Sequence, residues 1–117
     1  MVKLAIIVYT GVEGPESMGR VMNALETAKE FKENGDPFSL IFDGAGTKWV
    51  PLLEDQSHDF HTLYRTVKSD TKVCDYCAET FGVHDQVVES DVEIIAEYDG
   101  HPSIRSLSKD GYEVITI

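Results

Sequence analysis

The sequence predicts an α/β fold, in which a five-stranded parallel sheet lies between layers of helices. Apolar stretches of strand length alternate with helical stretches along the chain, an order typical of right-handed βαβ units. The first stretch, Val2 to Tyr9, is almost entirely apolar, as in a strand covered on both faces. The last stretch, Val114 to Ile117, is also largely apolar, so we place the C-terminal strand beside the first. The 117 residues predict one domain, 1–117.

The first half of the chain predicts two strands and three helical segments. A helix begins near Pro15 and stops before Asn34-Gly35, since its apolar residues recur at helical spacing. A second strand, Phe38 to Phe42, ends at the Asp43-Gly44-Ala45-Gly46 turn. A short helical piece over Thr47 to Leu53 follows. Ser57 then suits the N-cap of a helix with an inward stripe. That stripe consists of Phe60, Leu63, Tyr64 and Val67.

The second half predicts three further strands. Thr71-Lys72-Val73 is a β-prone segment, and the helix of Asp75 to Phe81 ends where Gly82 adopts a left-handed conformation. His84 to Ser90 forms a turn or a short helix. Val92 to Tyr98 is the fourth strand. His101-Pro102-Ser103 opens a last helix with Ile104 and Leu107 inward, and Tyr112 to Ile117 is the fifth strand.

The charge of the chain excludes one class of partner. Ten Lys and Arg residues face 21 Asp and Glu residues, so the formal charge is −11. Such a surface repels phosphate backbones, which argues against nucleic-acid binding. Two cysteines, no signal peptide and no apolar run of membrane-spanning length predict a cytoplasmic protein that does not enter a membrane.

The two cysteines, Cys74 and Cys77, supply the chemistry that the sequence indicates most strongly. Cys74 falls where the third strand turns into a helix, and Cys77 follows one helical turn later on nearly the same face. Helix N–H groups stabilise a thiolate at such a position, so we expect Cys74 to be the reactive thiol with a modestly lowered pKa. Cys77 is expected to be the more packed thiol. Sulfur or redox chemistry is favoured over simple packing and over metal binding.

Histidines supply candidate partners for these thiols. Ligands of open parallel sheets gather at the carboxyl ends of the strands, where Cys74 and His101 both fall. His101, or else His58 or His61, would lower the pKa of Cys74 as imidazolium, whereas the nearby carboxylates of Asp75 and Glu79 would raise it.

Three alternatives compete with sulfur chemistry. His58-x2-His61 and Cys74-x2-Cys77 together supply four ligands suited to tetrahedral zinc, although structural zinc is typical of loop-rich modules rather than of a domain with its own core. A thioredoxin-like oxidoreductase would carry its CxxC motif earlier in the chain. The loop from Gly11 to Pro15 lacks the P-loop residues. We therefore expect no cofactor, and zinc stays an open alternative.

The chain resembles the DsrE/DsrF/TusD family, which has the YchN-like fold. The resemblance runs over nearly the whole chain, and its most specific part is the segment from Cys74 to Val83. It is carried further by Tyr9-Thr10-Gly11, by residues 21–25, by residues 41–46 and by residues 100–104. The resemblance implies the strand order 4-3-2-1-5, homo- or hetero-oligomers, and a cysteine that carries persulfide sulfur to a small partner protein.

Two functional hypotheses follow. As a sulfur carrier in intracellular sulfur relay, the protein would use Cys74 as acceptor, Cys77 as resolving thiol and His101 as a proton relay. As a non-catalytic oligomeric module, it would bind a small ligand in the same place. The expected partners are the chain itself, as a homotrimer or homohexamer with Trp49 at the interface, and a small sulfur donor or acceptor protein.

Overall fold

The computed structural model describes residues 2–117 and contains one parallel sheet with the strand order β4-β3-β2-β1-β5. All four strand pairings are parallel. This confirms the predicted all-parallel sheet, its strand order and the place of the C-terminal strand beside the first. The strands are β1 (Leu4–Val8), β2 (Phe38–Phe42), β3 (Thr71–Cys74), β4 (Glu93–Ile95) and β5 (Glu113–Thr116).

Within residues 2–117, six α-helices flank this sheet. A 3₁₀ turn over Gly44–Lys48 leads into the second helix, and another over Lys68–Asp70 follows the third. The helices are α1 (Gly14–Glu33), α2 (Trp49–Glu54), α3 (His61–Val67), α4 (Asp75–Thr80), α5 (His84–Ser90) and α6 (Ile104–Lys109).

The order of the strands decides which face each helix covers. Strands β1 to β4 are added in one direction, so right-handed connections place α1 to α5 on one face. Alternate residues of β1, Leu4, Ile6 and Val8, belong to one core cluster with residues of all five of these helices. The connection from β4 to β5 runs back across the sheet and carries α6 to the other face. Ile7 and Ile41, which point there, are buried as well.

The fourth strand and the third helix are shorter than the sequence predicts. Strand β4 covers only Glu93–Ile95, because a tight turn at Tyr98–His101 draws the chain away from the sheet. Ser57 does not cap a helix. Its N–H and hydroxyl bind the Asp55 carboxylate in a turn, and α3 begins later, at His61. The predicted inward stripe is confirmed, since Tyr64 and Val67 are fully buried.

Two predictions about apolar side chains are wrong. Trp49 is 1% exposed within its own chain, and its indole N–H donates to the carbonyl of Thr10 at 2.9 Å. It therefore ties α2 to the loop after β1 and is not available to an interface. Ile104 is 38% exposed rather than inward, and none of residues 104–109 in α6 is buried. Within residues 2–117, the structure contains no helix of the length and hydrophobicity that a bilayer crossing requires.

Candidate functional site

Four side chains with chemical capacity converge at the carboxyl ends of the strands. One atom from each, carboxylate oxygen, thiol sulfur or imidazole nitrogen, lies within 4.8 Å of the other three. They come from the end of β2, the end of β3, the first turns of α4 and the turn after β4, so the parallel topology alone brings them to one edge. We call this group the strand-end cluster: Asp43, Cys74, Cys77 and His101.

Cys74 is the last residue of β3 and the N-cap of α4. Its sulfur accepts a hydrogen bond from the backbone N–H of Cys77 at 3.4 Å, so the two cysteines are linked through the first turn of the helix. Cys74 is fully buried, whereas Cys77 is partly exposed, and both are free thiols. The predicted strand-to-helix position of Cys74 and the left-handed Gly82 after α4 are confirmed.

His101 is placed by a tight turn that follows β4. Tyr98 and His101 exchange two backbone hydrogen bonds, of 2.8 and 2.9 Å, around Asp99 and Gly100, which both have positive φ. Asp-Gly is the usual sequence for this turn. His101 Nδ1 then lies 3.4 Å from the sulfur of Cys74 and 4.0 Å from that of Cys77. One imidazole nitrogen is thus shared between two thiols.

Gly100 holds this turn against the start of α4. Its carbonyl accepts the N–H of Tyr76 at 2.9 Å and the thiol of Cys74 at 3.6 Å. A Cβ at this position would lie 3.2 Å from that of Tyr76, so a larger residue would push the turn away. The ring of Tyr76 lies 4.7 Å from that of His101, tilted by 36°, and covers one side of the imidazole.

Asp43 enters from the end of β2. Its backbone N–H donates to the carbonyl of Val8 at 3.0 Å, and its carboxylate accepts the N–H of Gly44 at 2.8 Å. Gly46 lets the following 3₁₀ turn lie against β1, since a Cβ there would be 2.0 Å from the Val8 carbonyl oxygen. The carboxylate is buried beside the thiols as a result of this close approach.

The electrostatics of the site differ from the sequence-based expectation. Burial raises the pKa of the Cys74 thiol far above its ordinary value, and the Asp43 carboxylate adds to this effect, whereas the Cys77 N–H opposes it. Burial raises the pKa of Cys77 too, and Asp43 again adds to it. The predicted lowering of the Cys74 pKa is therefore wrong. A single backbone N–H does not outweigh desolvation beside a carboxylate.

Tyr9 borders the same site from the end of β1. Partial burial raises the pKa of its phenol, and the neighbouring Asp43 carboxylate and the two thiols contribute further. Tyr9 is 44% exposed as a residue, and its ring lies against the Gly44 turn. The phenol therefore stays protonated and can donate a hydrogen bond at the rim of the cluster.

The other histidines lie outside the strand-end cluster. His61 Nδ1–H donates to the Leu53 carbonyl at 2.7 Å, and His58 Nδ1 accepts the Phe60 N–H at 3.0 Å, so both are engaged at the α2–α3 connection. The zinc set of two histidines and two cysteines suggested by spacing is not assembled. His84 lies 2.9 Å from the Asp75 carboxylate, which is thus occupied away from the thiols.

Sequence reasoning found three of the four members of the cluster and missed Asp43. Asp43 directly follows the buried strand β2, so its strand-end position was the signal that pointed to it. The sequence predicts only a turn there, because Asp-Gly is so common in turns. Tyr9 carries the same positional signal at the end of β1.

Comparisons with known proteins place the fold but give no activity. No protein-family model matches the chain. The uncharacterized protein MJ0733 of Methanocaldococcus jannaschii is 27% identical over 116 residues, 98% of this chain and 95% of that protein. The structure of a conserved protein of unknown function from Bacteroides thetaiotaomicron, BT1422, matches with a TM-score of 0.67 and 18% identity. That match covers 98% of this chain and 94% of the other.

Proposed function

We propose that the protein is a cysteine persulfide sulfur carrier that acts in intracellular sulfur relay. The observation that carries the proposal is the sharing of His101 by two free thiols, at 3.4 and 4.0 Å, on the ligand-binding edge of a parallel sheet. A packing role for the cysteines would not need the imidazole or the carboxylate beside them. The resemblance to the DsrE/DsrF/TusD family supports the same function.

The different burial of the two thiols assigns their order of use. Cys77 is partly exposed and reaches a donor from solvent, whereas Cys74 lies fully buried behind it. We therefore assign Cys77 as the thiol that first receives sulfur, the reverse of the order expected from the sequence. Cys74, one helical turn away, is the second thiol of the pair.

The sulfur-transfer step needs no external oxidant or reductant. The sulfur of Cys77 attacks the terminal sulfur of a donor persulfide, a new S–S bond forms, and the S–S bond of the donor breaks. His101 takes the proton of the Cys77 thiol and returns it to the departing donor thiolate. The products are a Cys77 persulfide and a donor thiol. An acceptor thiolate then removes the terminal sulfur by the same exchange and leaves Cys77 as a thiol.

The high resting pKa of both thiols suits such a carrier. A protonated thiol reacts slowly with stray electrophiles, because the thiolate is the nucleophile. A donor persulfide that lies beside His101, whether it is a small molecule or part of a docked protein, would then allow the proton to move and the attack to occur. The two thiols therefore react slowly in the free protein. A small protein that docks on this edge of the sheet supplies or accepts the sulfur.

We propose in addition that the protein works in the cytoplasm as a homo-oligomer, a trimer or hexamer, joined through the edge that contains β5 and α6. None of residues 104–109 or 113–116 is buried, and Ile104 and Ile115 are 38% and 36% exposed. An edge strand with apolar residues invites a second copy of the chain. Light scattering that gives a larger mass than 13.0 kDa supports this, and a monomer at micromolar concentration in moderate salt contradicts it.

Persulfide loading tests the function directly. Reduced, metal-free protein is incubated with a low-molecular-weight persulfide, desalted and measured by intact and peptide mass spectrometry. We expect a gain of one sulfur atom on the peptide that contains Cys77, removable by cyanide. Cys77→Ser should abolish the gain, and Cys74→Ser should retain it. No gain on either cysteine in the wild type would refute the sulfur-carrier function.

A further inference from the structure

We propose that the strand-end cluster is also a tetrahedral zinc site, with one ligand from each of Asp43, Cys74, Cys77 and His101. Thiolate sulfur, imidazole nitrogen and carboxylate oxygen are the ligands that zinc uses in proteins. This proposal rests on geometry and charge alone, so it stands or falls independently of the sulfur-carrier function.

The spacing of the ligand atoms fits a tetrahedral ion closely. Zinc binds sulfur at about 2.3 Å and nitrogen at about 2.1 Å, so a tetrahedral angle separates the two ligand atoms by about 3.6 Å. His101 Nδ1 lies 3.4 Å from one sulfur and 4.0 Å from the other, on either side of that value. All pairs fall within 4.8 Å, so the side chains need to move by only about 1 Å to close on an ion of that bond length.

The charges of the cluster also favour a divalent cation. Two thiolates and the Asp43 carboxylate would bring three negative charges together at a buried edge, which is unfavourable without compensation. A zinc ion neutralises most of this charge and keeps both thiols deprotonated as ligands. A carboxylate beside two thiols hinders their ionisation in a metal-free site, but it is a normal partner of thiolates around zinc.

Backbone contacts hold the ligands in place before a metal binds. The Gly44 N–H fixes the Asp43 carboxylate at 2.8 Å, and the Cys77 N–H donates to the sulfur of Cys74 at 3.4 Å. The double hydrogen bond of the Tyr98–His101 turn fixes the backbone of the imidazole ligand. Such outer contacts orient metal ligands and raise affinity. The sequence suggests a zinc set of His58, His61 and the two cysteines. The structure keeps the two cysteines as ligands and offers Asp43 and His101 in place of His58 and His61.

Zinc and sulfane sulfur would compete for the same sulfur atoms. A Cys77 thiolate bound to zinc has its lone pair engaged and is shielded from electrophiles, so the zinc form cannot take up a persulfide sulfur at the normal rate. Zinc-loaded protein should therefore resist alkylation, and a chelator should restore the reaction.

Cobalt is the probe that reports ligand type and geometry. Chelator-treated, reduced protein is titrated anaerobically with Co²⁺, whose absorption shows thiolate charge transfer and the intense visible bands of tetrahedral coordination. We expect both signals to saturate at one Co²⁺ per chain and to disappear when Zn²⁺ is added. An octahedral Co²⁺ spectrum without charge transfer would overturn the proposal.

Variants identify the ligands. His101→Gln, Asp43→Asn and Cys77→Ser should each weaken Co²⁺ binding by more than the roughly 10–100-fold that loss of an outer contact causes. Asp75→Asn and His84→Gln are matched controls, because Asp75 lies within the CxxC motif but its carboxylate pairs with His84 outside the cluster. Circular dichroism confirms that each variant is folded, and only folded variants are scored. Unchanged affinity in folded His101→Gln or Asp43→Asn would overturn the four-ligand site. A rise in melting temperature with Zn²⁺ in the wild type but not in His101→Gln gives a second readout.

Discussion

Two clusters of polar side chains in this small domain differ in how their members are paired. The first is the strand-end cluster. The second, which we call the α2–α3 cluster, is composed of Glu54, His61, Tyr64 and Lys68. In the α2–α3 cluster the Tyr64 hydroxyl donates to the Glu54 carboxylate, and Lys68 lies 2.9 Å from the same carboxylate. His61 donates to a backbone carbonyl. Every one of these donors meets an acceptor.

The strand-end cluster has no such charged pair. Its members form hydrogen bonds to the backbone, since the Asp43 carboxylate accepts the Gly44 N–H and the Cys74 thiol donates to the Gly100 carbonyl. Its two sulfurs, carboxylate and imidazole are all groups that bind a proton or a metal ion, and they converge within 4.8 Å. Groups that all bind a proton or a metal ion and that converge at a buried edge are typical of a functional site. Matched side-chain pairs thus hold α2 and α3 together, whereas the strand-end cluster is the candidate site.

The largest expected effect comes from the glycine that lets Asp43 reach the strand-end cluster. Gly46→Ala would place a Cβ 2.0 Å from the Val8 carbonyl oxygen, so the 3₁₀ turn must move away from β1. We expect a loss of about 3 kcal/mol or more in the free energy of unfolding, measured by urea denaturation. Gly19→Ala in α1, where the new Cβ meets nothing within 4 Å, is the matched control and should stabilise the fold by about 0.5–1 kcal/mol. Equal stability of the two variants would contradict the close approach.

A smaller effect is expected in the α2–α3 cluster. Burial raises the pKa of Tyr64, with the Glu54 carboxylate adding to it, so the folded state holds the phenolic proton more tightly than the unfolded chain does. Tyr64→Phe should lose about 1–2 kcal/mol at neutral pH, since a partly buried carboxylate loses one donor.

The pH dependence of this loss of stability shows whether the Tyr64 hydroxyl contributes through its hydrogen bond to Glu54 or whether only the packing of the ring matters. Because the pKa of Tyr64 is higher in the folded state, its protonated phenol stabilises the fold at every pH below the unfolded pKa of about 10. Above that pH the unfolded chain loses the phenolic proton first, so the stabilisation decreases as the pH rises. The destabilisation caused by Tyr64→Phe should therefore shrink above about pH 10. Urea denaturation of both proteins at neutral and alkaline pH measures it, and a constant difference would show that the hydroxyl pairing does not contribute.

The smallest expected effect tests the converging charges of the strand-end cluster. Asp43 raises the pKa of the Cys77 thiol, so Asp43→Asn should increase the thiolate fraction at neutral pH. Iodoacetamide labelling of Cys77 in metal-free protein should become faster, by up to about tenfold, which corresponds to about 1.4 kcal/mol. Asp75→Asn should change the rate less, because that carboxylate faces His84. A slower reaction in Asp43→Asn would contradict the electrostatic account.

The fold was largely predictable because its signals are local and repeated. Apolar runs such as Val2 to Tyr9 predict buried parallel strands, and glycines such as Gly82 mark helix ends. Shorter elements were predicted less well, since Ser57 binds Asp55 in a turn that competes with a helix cap. Trp49 looked like an interface residue because its hydrogen bond to Thr10, 39 positions away, is invisible in the sequence.

The site was predictable in position and less so in its electrostatics. Strand-end positions pointed to Cys74 and His101, and the Asp99-Gly100 pair is typical of the turn that places His101. The buried state of Cys74 depends on how β2, β3 and α4 pack together, and the nearness of Asp43 depends on Gly46 fitting against β1. Both are tertiary effects, and they reverse the pKa expected from the cysteine's place at a helix start.

The rate of persulfide formation in two histidine variants tests the central claim, that chemistry belongs to the strand-end cluster and not to the α2–α3 cluster. Metal-free wild type, His101→Gln and His61→Gln react with the same low-molecular-weight persulfide at neutral pH, and mass spectrometry follows sulfur on Cys77. We expect His101→Gln to be slower by roughly 100-fold, the usual contribution of a proton-transfer residue, and His61→Gln to match the wild type. Equal rates in the two variants would contradict the central claim.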